Sequence, residues 1–294
     1  MRIPRSRVKE LLADAPSFGS NPRRHSISRM ADALRIKNRR TISRYMQPWM
    51  LLLDEAVQFL IHFERFQYSR QLTSKTSPFA MQISQMRSTV LSLRELVVLG
   101  QDAPAHALGR VLIDEIELAM AIAISPKFAI GYSSAKEPTE FWKIHIAYGK
   151  IYPYVERFVK RGGGSSLEVA DYVAHHKAVK NYLSDHVHVA YSSALRTAVP
   201  PSLIAPGRFH FKSIGAINAH LPSLCLFVAR EIHMFSGCCV KLFIGPKPPP
   251  ALAGYTPTGL LGDAVSSSHI LQELVVEYED QLEAEQSRLA GPGR

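Results

Sequence analysis

Between Arg44 and about Leu72 the chain places Trp49, Leu52, Leu53, Ala56, Phe59, Leu60 and Phe63 three and four residues apart. That spacing predicts a helix with one buried face. Pro48 falls in its first turn, where a missing N–H costs little. Ser77-Pro78 opens a second helix to about Gly100, and Asp102-Ala103-Pro104 a third to about Ser125. Pro126 to Lys136 reads as a loop, followed by a fourth helix over 138–161, kinked at Pro153. The run Gly162-Gly163-Gly164-Ser165-Ser166 breaks the chain before a fifth helix over 167–191. Residues 199–212 are turn-rich, with room for a short extended piece, and a sixth helix covers 214–243. No strand pattern alternates with the helices, and no internal repeat is present. The pattern predicts an all-α bundle.

The ends differ from the middle. Residues 1–44 show no sustained hydrophobic period beyond short helices near 8–13 and 30–37. They carry ten Arg and two Lys against three acidic residues. This stretch therefore holds nearly all of the chain's net charge of +10. Residues 246–268 form a Pro- and Gly-rich linker, with Pro248-Pro249-Pro250 favouring an extended backbone. A last helix at 269–288 is acidic, with six carboxylates against Arg288 alone between 273 and 288. The division is a basic arm at 1–44, a bundle at 45–245, a linker at 246–268 and an acidic helix and tail at 269–294.

With 46% hydrophobic residues there is ample material for a core, which excludes bulk disorder. The N-terminus lacks the apolar core of a secretory signal, and Glu10, Asp14 and Asp32 argue against a transit peptide. The most apolar stretch, 214–229, is interrupted by His220 and Pro222 and is too short for a bilayer span. Three cysteines cannot frame a fold and fit a reducing compartment. The expectation is a cytoplasmic protein with no membrane contact.

Chemistry is sparse. The glycine run lacks phosphate-loop spacing, and Cys225, Cys238 and Cys239 lack paired zinc-site spacing and read as small hydrophobes. His175, His176, His186 and His188 lie one, two or ten to thirteen residues apart, which does not converge on one ion. Asp171 and His175 are at most half a site, so neither metal nor cofactor is expected. Other spacings are more informative. Tyr182 precedes His186 by four residues and Ser184 precedes His188 by four, so Ser184 can orient the His188 ring. Arg110 has Asp114 at i+4 and Glu117 at i+7, predicting an arginine held by carboxylates among apolar neighbours. Such charges either lock a bundle or line a polar pocket.

The segments GRVLIDE (109–115) and YLSDHVH (182–188) resemble a group of bacterial all-α proteins that is similar to the HEPN superfamily. Members combine an Arg-x-x-x-acidic motif on one helix with a Ser-x-x-x-His motif on a later one. Here these are Arg110 and Asp114, then Ser184 and His188, and the resemblance spans about 45–245. It implies a HEPN-like helical bundle, a homodimer, and an RNA-associated role in a bacterial defence or toxin-type system. It also implies a catalytic set of His188, Arg110, Asp114 and Ser184, without metal. The Arg-x(4–6)-His motif of HEPN ribonucleases is absent, since no histidine has an arginine five to seven positions before it. That leaves open whether the chain is a metal-independent ribonuclease. The alternatives are a non-catalytic helical interaction module and a nucleic-acid-binding regulator acting through the arm. In the arm, Arg23, Arg24, Arg29, Arg35, Arg39 and Arg40 are the expected RNA or DNA contacts, arginine being suited to phosphate. The competing role for the arm is docking on the acidic helix. Apolar positions on the sixth helix, with Ile270, Leu274 and Val275, add to the expectation of a dimer.

Overall fold

The computed structural model of the chain describes residues 27–69, 71–187, 194, 198–199, 201–203, 215–252 and 259–290. Within them are ten α-helices and no strand. These are α1 (Ile27–Tyr45), α2 (Gln47–Tyr68), α3 (Ser77–Leu99), α4 (Asp102–Ile124), α5 (Pro126–Ser134), α6 (Pro138–His145), α7 (Tyr152–Arg161), α8 (Ser166–Val187), α9 (Leu221–Ile244) and α10 (Gly259–Ala290). The expected all-α architecture is present.

α2 is the central helix, and its apolar stripe is wide. Leu53, Ala56, Phe59, Leu60 and Phe66 are fully buried, because α3, α9 and α10 all pack on it. Aromatic rings link the layers: Phe63 meets Phe79 of α3 edge-on at 6.0 Å, and Phe158 of α7 stacks on Phe235 of α9 at 5.9 Å. Each such contact adds to the area term that dominates folding.

α3 and α4 pair through a tight turn at Gly100, whose φ of 69° is left-handed. A Cβ there would lie 2.6 Å from the backbone of Ala216, so only glycine fits. The Ala216 N–H donates to the Gly100 carbonyl at 3.0 Å, which pins the chain just before α9. α9 itself starts at Leu221 rather than at 214. Asn218 Oδ1 accepts the N–H groups of His220 (2.9 Å) and Leu221 (3.3 Å), supplying the partners a helix start lacks. Pro222 then sits in the first turn. Upstream, Ser202 and Asn218 form an isolated antiparallel bridge, the extended piece expected there.

Other expectations are corrected. The stretch expected as a loop after Ser125 is α5, because Ser125 Oγ accepts the Phe128 N–H at 3.2 Å and Pro126 follows it. The single helix expected over 138–161 is two. The chain turns between them at Tyr148, at a left-handed φ of 57°, and Pro153 opens α7 instead of kinking a longer helix. The second half of the expected linker is helical, since α10 begins at Gly259. α10 is also part of the bundle: Ala264, Leu271 and Val275 are buried, and it packs on α2 and α9. Much of the apolar surface that had argued for a second copy is thus covered by the chain itself.

The described part of the arm is a helix lying on α3 and α2. Asn38 is buried and donates from Nδ2 to the Val98 carbonyl at 3.0 Å. Arg35 pairs with Glu95 of α3 at 3.2 Å. The short helix expected near 8–13 lies outside the described residues. α9 is long and apolar enough to cross a membrane by length and composition, but 61% of its most apolar window is buried in the bundle, where it is a core helix.

Leu271 and Ile270 test whether α10 is integral. Leu271→Ala is expected to cost about 2–5 kcal/mol in urea unfolding. Ile270→Ala, at a position 47% exposed, is expected to stay within about 0.5 kcal/mol. An appended helix would leave both silent.

Candidate functional site

Two polar stripes face each other where α4 meets α8. On α4 the residues are Arg110, Asp114 and Glu117. On α8 they are Tyr172, His176, Lys180 and Ser184, one per turn at four-residue steps, which keeps them on one face. α9 adds Glu231, with its neighbours Val228, Ala229 and Ile232 buried in the core.

The contacts run inward as a ladder of alternating charge. Arg110 donates from Nε to Ser184 Oγ at 3.3 Å and pairs through Nη1 with Asp114. Lys180 Nζ bridges Asp114 Oδ1 (2.7 Å) and Glu117 Oε2 (2.6 Å). His176 lies between the last two carboxylates. Its Nδ1 is 3.5 Å from Glu117 Oε1, and its Nε2 bonds directly to Glu231 Oε2. Tyr172 donates its hydroxyl to the same Glu231 oxygen at 3.2 Å, and His175 Nε2 stands 3.7 Å from Glu231 Oε1. Side-chain exposure falls along the series, from 42% at Asp114 to 16% at Lys180, 1% at Glu117 and 0% at His176.

Charge balance decides the protonation of the inner rungs. Three carboxylates face Arg110 and Lys180, so one further proton brings the ladder to neutrality, and His176, between Glu117 and Glu231, is placed to carry it. Burial works to lower the His176 pKa, but the Glu231 charge, the close Glu117 carboxylate and the bond to Glu231 outweigh it and hold it at about 9. Burial likewise pushes Glu117 up, yet His176 and Lys180 bring it below the usual carboxylate range. Lys180 is raised: burial opposes its charge, and Glu117 and Asp114 overcome that. Burial, followed by the Glu231 charge, drives the Tyr172 phenol well above its ordinary value. His176 and Glu117 are sealed from solvent, and their contacts with Lys180 and Glu231 tie α4, α8 and α9 together.

The outer end is where the expected site residues meet. The structure brings Arg110, Asp114 and Ser184 together, while His188 lies outside the described residues. The single proton of Ser184 is directed to the Lys180 carbonyl at 2.6 Å, while its oxygen accepts from Arg110. Ser184 is thus tied to its own helix and to α4; the expected bond to His188 falls outside the described residues. Glu117 does not join Arg110 as expected. Two turns place it about 10 Å further along α4, where Lys180 and His176 take it instead. Tyr182 turns toward the buried His106, with ring centroids 6.1 Å apart. His106 itself pairs with Asp102 at 3.2 Å.

Burial pushes the three thiols up, to about 12 for Cys225 and about 11 for Cys238, as buried small hydrophobes require. Among the described residues no group of three or more His, Cys, Asp or Glu is placed to hold a metal ion.

The expected nucleic-acid contacts divide. Arg23 and Arg24 lie outside the described residues. Helical spacing puts Arg29, Arg40 and Arg44 on the face of α1 away from buried Asn38, with Lys37 at the edge of that face. Arg35 and Arg39 lie on another face, along a cleft of about 350 Å³ shared with Asp54, Arg94 and Glu95.

Comparison with family models, with curated proteins and with solved structures found no match to this chain.

The ladder makes stability depend on pH. The folded His176 pKa of about 9 exceeds its ordinary 6.5, so its contribution is whole below 6.5 and is lost as pH rises through 9. Linkage puts that loss on the order of 3 kcal/mol. Unfolding free energies measured from pH 6 to 9.5 are expected to fall in wild type. In His176→Ala they are expected to start about 3–5 kcal/mol lower, because two buried carboxylates are left facing each other, and to lose most of the slope over that window.

Proposed function

We propose that the chain is a HEPN-like, RNA-associated protein of a bacterial defence or toxin-type system. In this reading the inner ladder fixes three helices and the outer rung meets the RNA backbone. The observation that carries it is the 3.3 Å bond from Arg110 Nε to Ser184 Oγ. It joins the two motif segments, 74 positions apart in the chain, at the more exposed end of the ladder. Ser184 also stands four residues before His188.

An incoming phosphate competes with Asp114 for the guanidinium, which is suited to bidentate recognition of either group. If the RNA is cleaved, His188 is the general acid or base acting on the 2′-hydroxyl or the leaving oxygen, and Arg110 stabilises charge on the phosphorane. The outward arginines of α1 provide the sequence-independent part of binding. A specific observation favours a second reading, a non-catalytic helical module: Arg110 and Ser184 already satisfy each other and their neighbours in the free chain.

Incubation with single-stranded RNA in chelator separates the two. The first reading expects RNA binding, and any cleavage is expected to be abolished by His188→Ala with an unchanged melting temperature. Binding without cleavage by wild type would remove the ribonuclease, and neither binding nor cleavage would end the RNA proposal and leave the module.

Salt dependence tests α1. With Arg29, Lys37, Arg40 and Arg44 each neutralising one phosphate, affinity for single-stranded RNA should fall with a log–log slope of about −3. Charge reversal of Arg29 and Arg40 to Glu should flatten it. A wild-type affinity independent of salt would remove α1 from the interface.

A further inference from the structure

Between α8 and α9, on the side of α8 away from Arg110, lies a cavity of about 310 Å³ that the ladder does not use. Leu183, Leu226 and Phe227 form its apolar walls. Leu183 and Leu226 are buried, so this is a recess in the bundle rather than a flat face. Its polar lining is His106, His175, Tyr182, Ser223 and Arg230; His106 is buried, whereas His175, Tyr182 and Arg230 are substantially exposed. No Asp or Glu is among the described lining residues. An apolar recess of this size with a small set of convergent polar groups is the usual anatomy of a small-molecule site.

The chemistry of the rim selects the ligand. Arg230 donates from Nε to Glu279 of α10 at 2.6 Å, which holds the side chain at the mouth. A guanidinium carries five N–H donors in a planar fork, so one bond to Glu279 fixes the group without using its capacity. The acids behind the lining are engaged: Glu231 bonds to His176 and Tyr172 and stands 3.7 Å from His175, and Asp102 pairs with His106. The rim therefore presents a positioned cation and a phenol hydroxyl above aliphatic and aromatic walls. We propose that this cavity is a binding site for a small monocarboxylate with an apolar tail, the tail between Leu226, Leu183 and Phe227 and the carboxylate on Arg230. The site is separate from the Arg110–Ser184 rung and does not depend on the RNA reading.

Titration calorimetry and thermal melts of the full chain with octanoate, and with the neutral octanamide, test it. Octanoate is expected to bind one to one and raise the melting temperature. Octanamide should bind about ten-fold more weakly or worse, for want of the charge-assisted bond. Arg230→Gln should weaken octanoate by a similar factor and leave octanamide unchanged. Leu226→Trp, which fills the recess, should abolish binding of both. If that variant fails to fold, Val179→Phe, from the opposite wall, takes its place. Lack of octanoate binding, equal affinity for the amide, or full binding by a folded cavity-filling variant would each overturn the proposal. So would a nucleoside monophosphate that binds in the recess when octanoate does not.

Discussion

Two carboxylates, Glu117 on α4 and Glu231 on α9, are sealed in the interior of this bundle, and the packing around them has to neutralise both. A lone buried carboxylate is far too costly to remain ionised. The solution is His176 between them and Lys180 beside Glu117. These cations come from α8, so α4, α8 and α9 are held in one register by charge as well as by shape. Ion pairs of this kind add little stability relative to a well-packed apolar core, yet losing one partner is severe. The ladder therefore specifies which helix faces which, while the area buried around Phe59, Phe66, Phe79 and Phe235 stabilises the fold.

The consequence for function lies in the gradient along the ladder. Its inner rungs are sealed, whereas Arg110 and Asp114 at the outer end reach solvent. A group that recognises phosphate has to be positioned yet exchangeable. Arg110 meets both conditions: Ser184 holds one side of its fork and a half-exposed carboxylate holds another. The ladder thus supplies a rigid base for whatever that outer rung binds. On the far side of α8 the recess under Arg230 is framed by the same helix, so both surfaces share one support.

What the sequence makes legible follows from how local each interaction is. The i,i+4 pairing of Arg110 with Asp114 is a one-turn contact and reads directly from spacing, and the helices α2, α3 and α4 follow from their apolar periods and proline punctuation. The inner ladder was legible in part. Tyr172, His176, Lys180 and Ser184 recur every four residues, a polar stripe as regular as any apolar one, but counting histidines for a metal hides it. Glu231 gave no signal, since Arg230-Glu231 looks like the charged end of an apolar run, and only packing shows one side chain turned inward and the other outward. The start of α9 was misplaced because Asn218 caps it from outside the helix. α10 was mistaken for an appendage because its exposed acids outnumber the few residues, such as Leu271, that bury it.

The central claim is that His176 carries a positive charge in the folded protein. Its ring nitrogens report this directly by nuclear magnetic resonance of ¹⁵N-labelled protein, assigned by comparison with a His176 variant and titrated from pH 6 to 10. The account predicts imidazolium shifts at neutral pH and a transition near 9. A His176 ring that is neutral at pH 7 would contradict it.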